Sequence, residues 1–297
     1  MNDNKELKLK ICRFNNDRLG VVLGEEVADV TPVLEYLPTA KYPFPRGDAL
    51  VTALPSLLPR IREAVRIAPR IPISRVEFLS PVANPGKIIA APVNYVDHLA
   101  EAVNMPELHH GNQIHQIQKV GLFLKASSSL QGCSQGVYLE HPDRRNDHEI
   151  ELVAIIGKAG RNVAREKALE YVAGYCIGLD MTVRGSEDRS MRKSIDSYSV
   201  VGPWMVTADE VPDPNNLDLH LTVNGEERQR ANTRDLILDV AELIEFATSY
   251  YSIDPGDLLF TGTPAGVGPV KAGDVIHAEI ASIGAMSVKV HAKRVSI

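Results

Sequence analysis

EIELVAIIGK, residues 149–158, is the stretch whose reading decides the fold. Residues two apart on a strand face the same way. Ile150, Leu152, Ala154 and Ile156 therefore make one apolar face, while Glu149 and Glu151 open the other, which continues with Val153 and Ile155. Two carboxylates thus point together from a strand that is apolar on both sides further along. Burying them without a cation is costly, because like charges at that range repel and raise a pKa. A solvated strand end accounts for the pair equally well. Asp180 tips the balance, since it ends the apolar strand YCIGLD (175–180), where an acidic residue needs a reason. Three acidic oxygen donors suit Mg²⁺, Mn²⁺ or Ca²⁺, and the lack of cysteine or of a paired histidine argues against zinc.

Outward from this strand the pattern stays rich in β-structure. LDLHLTVNGEERQR contains a hairpin signal, with Asn224-Gly225 as the turn. DVIHAEIA and AMSVKVHAKRV read as closing strands, and TRDLILDVAELIEFATSYYSI (233–253) as a long amphipathic helix that stops before Asp254-Pro255-Gly256. REKALEYVAGY reads as a helix followed by a turn. Upstream, KIIAAP is a strand and NYVDHLAEAV a short helix. Residues 104–121, with His109, His110 and His115, read as a polar loop, because the spacing of the histidines does not repeat and no cysteine completes a metal tract. The first residues give short strands, KLKIC (8–12), GVVLG (20–24) and VADV (27–30), and a helix over 47–68 with Leu50, Leu54, Leu57, Ile61 and Val65 near one face. The proline-punctuated stretch APRIPISRVEFLSPVANPGK reads as a linker. The expected organisation is a small β-rich N-terminal domain over 1–80 and a larger domain over 84–297. Many strands with few helices make a β-dominated α+β fold.

Composition excludes several function classes. A net charge of −6 without a basic stripe gives a nucleic-acid partner no electrostatic footprint. No run of about 18 apolar residues is present to span a membrane, and MNDNKELKLK lacks the apolar core of a secretory signal. Cys12, Cys133 and Cys176, odd in number and widely spaced, fit a reducing compartment, so a cytoplasmic location is expected.

His98 and Glu101, three apart in a helix, share a face and can touch. A histidine held by a carboxylate keeps one tautomer and gains basicity, as water activation requires; an ordinary surface ion pair has the same spacing. Asn94 is placed as the N-cap of that helix, with Asp97 completing a capping box. TGTPAGVGP (261–269) lacks the Gly-Lys-Ser/Thr ending of a P-loop. A glycine-rich strand exit of this kind offers backbone N–H groups and the Thr263 hydroxyl to a carboxylate or oxyanion, or is simply a tight connection. Lys125, Lys193 and Arg184 are surface cations unless they converge with the acids.

Taken together, NYVDHLAEA, FLKASSSLQG, HEIELVAIIGKAGRNV, ALEYVAGYCIGLDMTVR, KSIDSYSVVGPWMVT, LTVNGEERQRANT and PGDLLFTGTPAGVGPVKAGD resemble the fumarylacetoacetate hydrolase family, in the family's order and over nearly all of residues 84–297. The resemblance implies a mixed β-roll or sandwich, usually a homodimer, with a variable N-terminal domain. It implies Glu149, Glu151 and Asp180 as ligands of a divalent cation, Mg²⁺ in the first place. It makes His98 and Glu101 the water-activating pair on a lid helix, and Lys193 the stabiliser of developing negative charge. Lys125, Arg184 and Thr263 are implied to line the substrate site. The chain departs from the pattern at Val93, preceded by Pro92, where the family often has glycine, and at Arg184-Gly185-Ser186-Glu187, where an amide is usual in the last position. These departures bear on the substrate more than on the chemistry. The implied activity is hydrolysis of a C–C bond in a small 1,3-dioxo acid such as an acylpyruvate. The same site would serve decarboxylation or keto-enol isomerisation of an oxo-dicarboxylic acid. A catalytically silent protein that binds a metal or small acid is the reading from another class.

Overall fold

A computed structural model describes residues 9–109 and 115–294. Residues 1–8, most of the N-terminal stretch assessed for a signal, lie outside them, as does His110 of the histidine-bearing segment.

The chain opens with β1 (Lys10–Phe14), β2 (Arg18–Leu23) and β3 (Glu26–Asp29), which pair antiparallel in succession. Next comes α1 (Ala49–Ile67), capped by the Asp48 carboxylate, which accepts from Val51 N–H at 3.0 Å. Pro55 and Pro59 sit inside this helix. Each removes a backbone hydrogen bond, but six buried side chains from Leu50 to Val65, worth about 1.5–3 kcal/mol apiece, hold the helix against the sheet. The proline-punctuated stretch that follows is tied down by pairing: β4 (Arg70–Pro72) lies on β3, and Phe78–Leu79 lies on β1. The second Asp48 oxygen accepts from Ala83 and Asn84 N–H, both at 3.0 Å, and so fastens the start of α1 to the entrance of the next segment.

The longer elements that follow, in chain order, are β5 (Ile88–Ala90), α2 (Val96–Asn104), β6 (Phe123–Lys125), β7 (Ile150–Ile156), β8 (Val172–Asp180), α3 (Arg189–Lys193), β9 (Ser199–Thr207), β10 (Asp218–Val223), β11 (Glu226–Asn232), α4 (Val240–Tyr250), β12 (Leu258–Phe260), β13 (Val275–Ile280) and β14 (Gly284–His291), with shorter strands and helical turns between them. The main sheet runs β4-β3-β2-β1-β9-β8-β7-β12-β5-β6, antiparallel along this path except between β12 and β5. A second sheet, β11-β10-β13-β14, is antiparallel and takes Val137–Tyr138 at its edge. The fold is α+β with strands predominating.

The alternation of β7 explains the layering. Leu152, Ala154 and Ile156 enter a core shared with the second sheet and α4, whereas Val153 and Ile155 enter a core shared with α1. A strand covered on both faces must be apolar on both, and the whole of β7 except Glu151 is. Among the described residues no helix is long and apolar enough to cross a membrane.

Three local expectations are corrected. The helix expected over 233–253 is confined to α4: Thr233–Asp235 form a 3-10 turn, and Asp239 caps α4 reciprocally with Glu242. VAGY belongs to β8 rather than to a turn, and REKA alone is α-helical. Within 104–121, Pro106–His109 and Ile117–Val120 each make one helical turn. The Asn224-Gly225 hairpin forms as read, both residues having positive φ (52° and 82°), which asparagine and glycine tolerate.

Candidate active site

The register of β7 on β8 pairs Ile150 with Leu179, and the ladder ends on a bond from Asp180 N–H to Glu149 O at 2.9 Å. Glu149 and Asp180 therefore face each other where the two strands part, with Glu151 one pleat further in. One oxygen from each of Glu149, Glu151 and Asp180 falls within 4.8 Å of the others, and all three side chains are buried. The solvated-strand-end reading of the glutamate pair is thereby removed.

Basic groups converge on two of these acids. Lys193 Nζ donates to Glu149 Oε2 at 2.6 Å, to Asp180 Oδ2 at 2.7 Å and to Thr182 Oγ1 at 2.6 Å. Arg184 donates to Glu149 Oε1 at 2.9 Å and to Asp147 Oδ2 at 2.8 Å. Lys125 Nζ donates to Asp180 Oδ1 and to the Tyr198 carbonyl. Among the described residues Glu151 accepts only the Gly262 N–H, at 2.6 Å. Burial works to raise the Glu149 carboxyl, yet Lys193, Arg184 and His98 outweigh it and hold the group below the usual carboxylate range. Burial and the charges of Asp180 and Glu149 instead push Glu151 well above that range. Burial lowers Lys125 against the pull of Asp180. A buried carboxylate held up in this way, inside a cluster of hard oxygen donors, fits a divalent metal, which would relieve the repulsion that raises it.

The dyad sits beside this cluster. His98 Nδ1 lies 2.8 Å from Glu101 Oε2, and Glu101 Oε1 accepts from Gly266 N–H at 2.9 Å. Helix α2 is thus pinned to the glycine-rich loop through Glu101. His98, Glu149, Glu151, Asp180, Lys193 and Thr263 all border one cavity of about 260 Å³, which Arg184 also lines. Lys125 approaches from behind, through Asp180. The dyad is therefore not an ordinary surface pair.

The cap of α2 differs from expectation. Tyr95 occupies the N-cap position without a side-chain bond, and Asn94 does other work. Its amide donates to the Leu238 and Thr261 carbonyls at 2.9 and 2.8 Å, and its oxygen accepts from Leu238 N–H at 2.9 Å. Asn94 thus ties the start of α2 to the glycine-rich loop and the approach to α4. That loop needs its glycines: Gly262 has φ +99° and Gly266 φ +95°, and a Cβ on Gly266 would meet the Arg228 carbonyl at 2.0 Å. Thr263 spends its hydroxyl proton on the Ile150 carbonyl at 2.8 Å and accepts from Gln229 Nε2 at 2.8 Å, so taking a ligand oxygen would cost it that first bond.

Residues 87–291 match the description "Fumarylacetoacetate (FAA) hydrolase C-terminal". The chain belongs to the fumarylacetoacetate hydrolase family. A maleylpyruvate hydrolase of Aquipseudomonas alcaligenes is 58% identical over 284 residues, 95% of this chain and 99% of the relative. The crystal structure of maleylpyruvate hydrolase from Sphingobium sp. SYK-6, in complex with manganese(II) ion and pyruvate, matches with a TM-score of 0.82 and 42% identity, over 96% of this chain and all of that one. A probable 2-hydroxyhepta-2,4-diene-1,7-dioate isomerase from Mycobacterium abscessus matches with a TM-score of 0.77 and 26% identity, over 97% and 100%.

Against the family frame, several residues that sequence reasoning missed now stand out. Asp147 anchors Arg184, and Gln229 joins Thr263 to Ile150 N–H and His148. Arg189 and Arg192, on α3, line the cavity. Only the RxxR spacing at the approach to Lys193 could have flagged them. Glu187, the carboxylate where the family often has an amide, carries no free charge: Arg144 grips it with two bonds of 3.0 and 2.8 Å and lowers it to about 2.

Proposed function

We propose that this chain is a divalent-metal-dependent hydrolase that cleaves a C–C bond in a small acylpyruvate or related 1,3-dioxo acid. The observation that carries the reading is one cavity bordered both by a buried triad of carboxylates and by a histidine fixed by a glutamate. The maleylpyruvate hydrolases it resembles, one of them holding manganese and pyruvate, support it.

Glu149, Glu151 and Asp180 would hold the cation, for which Mg²⁺ and Mn²⁺ are both suited by hardness. Bound there, it supplies Lewis-acid polarisation of the carboxylate and oxo end of the substrate. The rest is done by side chains. Glu101, ionised and acceptor-only, requires His98 Nδ1 to carry the proton, which leaves Nε2 free to act as a base. His98 takes a proton from water, and the water oxygen bonds to the distal carbonyl carbon. The C–C bond then breaks, its electron pair leaves with the three-carbon fragment, and that fragment regains a proton to become pyruvate. Lys193, already shared by two carboxylates, is placed to stabilise the negative charge that develops. Arg184 and Lys125 hold the carboxylates in position, and Thr263 flanks the oxyanion end.

The dyad favours hydrolysis, because decarboxylation needs no activated water. Incubating the enzyme with Mg²⁺ or Mn²⁺ and a panel of acylpyruvates should yield two acids by mass. Release of CO₂ would replace this reading with a decarboxylase, and an isomer of unchanged mass would replace it with an isomerase. Tight metal binding without turnover would favour a silent binder. The family resemblance also supports a homodimer with residues 1–80 as a small N-terminal domain, and the cysteine usage supports a cytoplasmic location. Sedimentation and limited proteolysis would test these assignments.

A further inference from the structure

Gln229 belongs to β11 in the second sheet, yet its buried side chain reaches both β7 and the glycine-rich loop. Its oxygen accepts from Ile150 N–H at 3.1 Å, between the two glutamates of the triad, and its NH₂ group donates to the Pro264 carbonyl at 2.9 Å. A backbone N–H only donates and a carbonyl only accepts, so these two bonds fix which end of the amide faces which way. Two further polarities follow. His148 Nδ1, 3.1 Å from the same amide oxygen, carries a proton. Thr263 Oγ1, 2.8 Å from Nε2, accepts. The Thr263 proton in turn goes to the Ile150 carbonyl at 2.8 Å. A hydroxyl has one proton and two lone pairs. The proton and one lone pair are engaged inside the protein, so Thr263 offers the cavity it borders a lone pair and no donor.

We propose that Gln229 is a positioning residue that makes Thr263 an acceptor, and that Thr263 and His98 together hold the attacking water between two acceptors. This rests on the hydrolase reading. A carboxylate or oxyanion would set its own lone pair against that of Thr263, so Thr263 flanks the oxyanion end without donating to it. Water is the donor that hydrolysis brings into the cavity. One of its O–H groups points to His98 Nε2, which takes that proton. The other points to Thr263 Oγ1 and stays on the water oxygen, ending on the new carboxyl group. The lone pairs of the water remain free to bond the carbonyl carbon. His98 and Thr263 are tied to one loop, because Glu101, which holds His98, accepts from Gly266 N–H. Without the Gln229 amide the Thr263 hydroxyl is free to turn its proton into the cavity. It would then hold the water by the oxygen that has to attack.

The test uses Thr263→Val, Thr263→Ser and Gln229→Met as Mn²⁺-loaded proteins, with turnover of an acylpyruvate and calorimetric titration with pyruvate as readouts. Thr263→Val keeps the shape and removes the hydroxyl. Its kcat should fall about 10- to 100-fold, the combined effect of a lost hydrogen bond and a misplaced nucleophile, while KM and pyruvate affinity stay close to wild type. Thr263→Ser can make the same bonds and should recover most of kcat. Gln229→Met should also lower kcat with KM held, and the loss in the double variant with Thr263→Val should fall well short of the product of the two single losses, because Gln229 acts through Thr263. Losses that multiply, a Thr263→Val kcat near wild type, or weakened pyruvate binding in Thr263→Val overturns the proposal. Should Gln229→Met fail to fold, the two Thr263 variants decide by the same criteria. A wild type that turns over no acylpyruvate sinks the hydrolase reading and the water-holding role with it; wild-type turnover together with weakened pyruvate binding in Thr263→Val sinks the role of Thr263 alone.

Discussion

Replacing Glu101 by glutamine changes one oxygen to an NH₂ group and little else, which makes it the sharpest probe of the dyad. Glu101 now accepts twice, from His98 Nδ1 at 2.8 Å and from Gly266 N–H at 2.9 Å. An amide can accept at only one end. If its oxygen faces Gly266, the NH₂ group confronts His98, Nδ1 must become the acceptor, and the ring proton moves to Nε2, where it disables the base. If its oxygen faces His98, two donors collide at Gly266. Both side chains are nearly enclosed, 8% and 12% exposed, so solvent rescues neither arrangement. A donor left unsatisfied costs about 1–3 kcal/mol. Glu101→Gln should therefore lower kcat by about 5- to 150-fold. His98→Ala, which removes the base outright, should lower it by about 100- to 10,000-fold. The assay is loss of the acylpyruvate enol absorbance, run beside calorimetric titration with Mn²⁺. Metal affinity should stay close to wild type in both variants. Full turnover in either variant would refute the assignment of the base, and a rate loss that merely followed a loss of Mn²⁺ affinity would show that the pair supports the metal instead.

Four further outcomes follow from the same geometry. Glu149→Ala should weaken Mn²⁺ binding by more than about 100-fold, beyond the effect of losing an outer partner, and abolish activity with it, as calorimetry and turnover would show. Glu151 titrates well above the ordinary carboxylate range, so metal binding should displace its proton: titrations in buffers of different ionisation heat should show proton release that grows as pH falls through that raised value. The sign for stability is the reverse of the usual acid case. In the metal-free protein the contribution of Glu151 is full below the ordinary glutamate value and is lost as pH rises through the raised one, so metal-free Glu151→Gln should melt higher than wild type at neutral pH. Gly266→Ala places a Cβ 2.0 Å from a backbone oxygen at positive φ; denaturant unfolding should show a loss of at least about 1–3 kcal/mol, and kcat should drop with the displaced anchor of Glu101.

Strands were the most legible part of the chain, because their burial on both faces is written directly into EIELVAIIGK and YCIGLD. The Asn-Gly turn was legible for the same reason, since only a few residues suit positive φ. Helix limits were less so. Thr233–Leu238 has helical spacing, but Asp239 offers a better cap and Asn94 captures both backbone groups of Leu238, a partner 144 residues away. Asn94 itself was misread for that reason: a polar residue before a helix suggests a cap, and nothing local reveals that its three bonds are spent on distant backbone. Gln229 and Arg189 were invisible on similar grounds, one an unremarkable position in a polar strand, the other an arginine among arginines.

Glu149 and Glu151 show where local reading stops. They are the same residue, two positions apart, bordering the same cavity, and they titrate in opposite directions. Periodicity makes them equivalent. What separates them is the long-range part of the fold: α3 delivers Lys193 and the short strand Thr182–Val183 after β8 delivers Arg184 to the first, whereas the second meets one backbone N–H from the glycine-rich loop. Positive charge already neutralises one side of the cluster, and the other is left in need of it. A cation entering the triad consequently gains most from Glu151, the acid that gives up a proton to receive it. The lysine and arginine around Glu149 are therefore not competitors for the metal's place in the electrostatics but the reason the remaining charge is concentrated where an ion is needed.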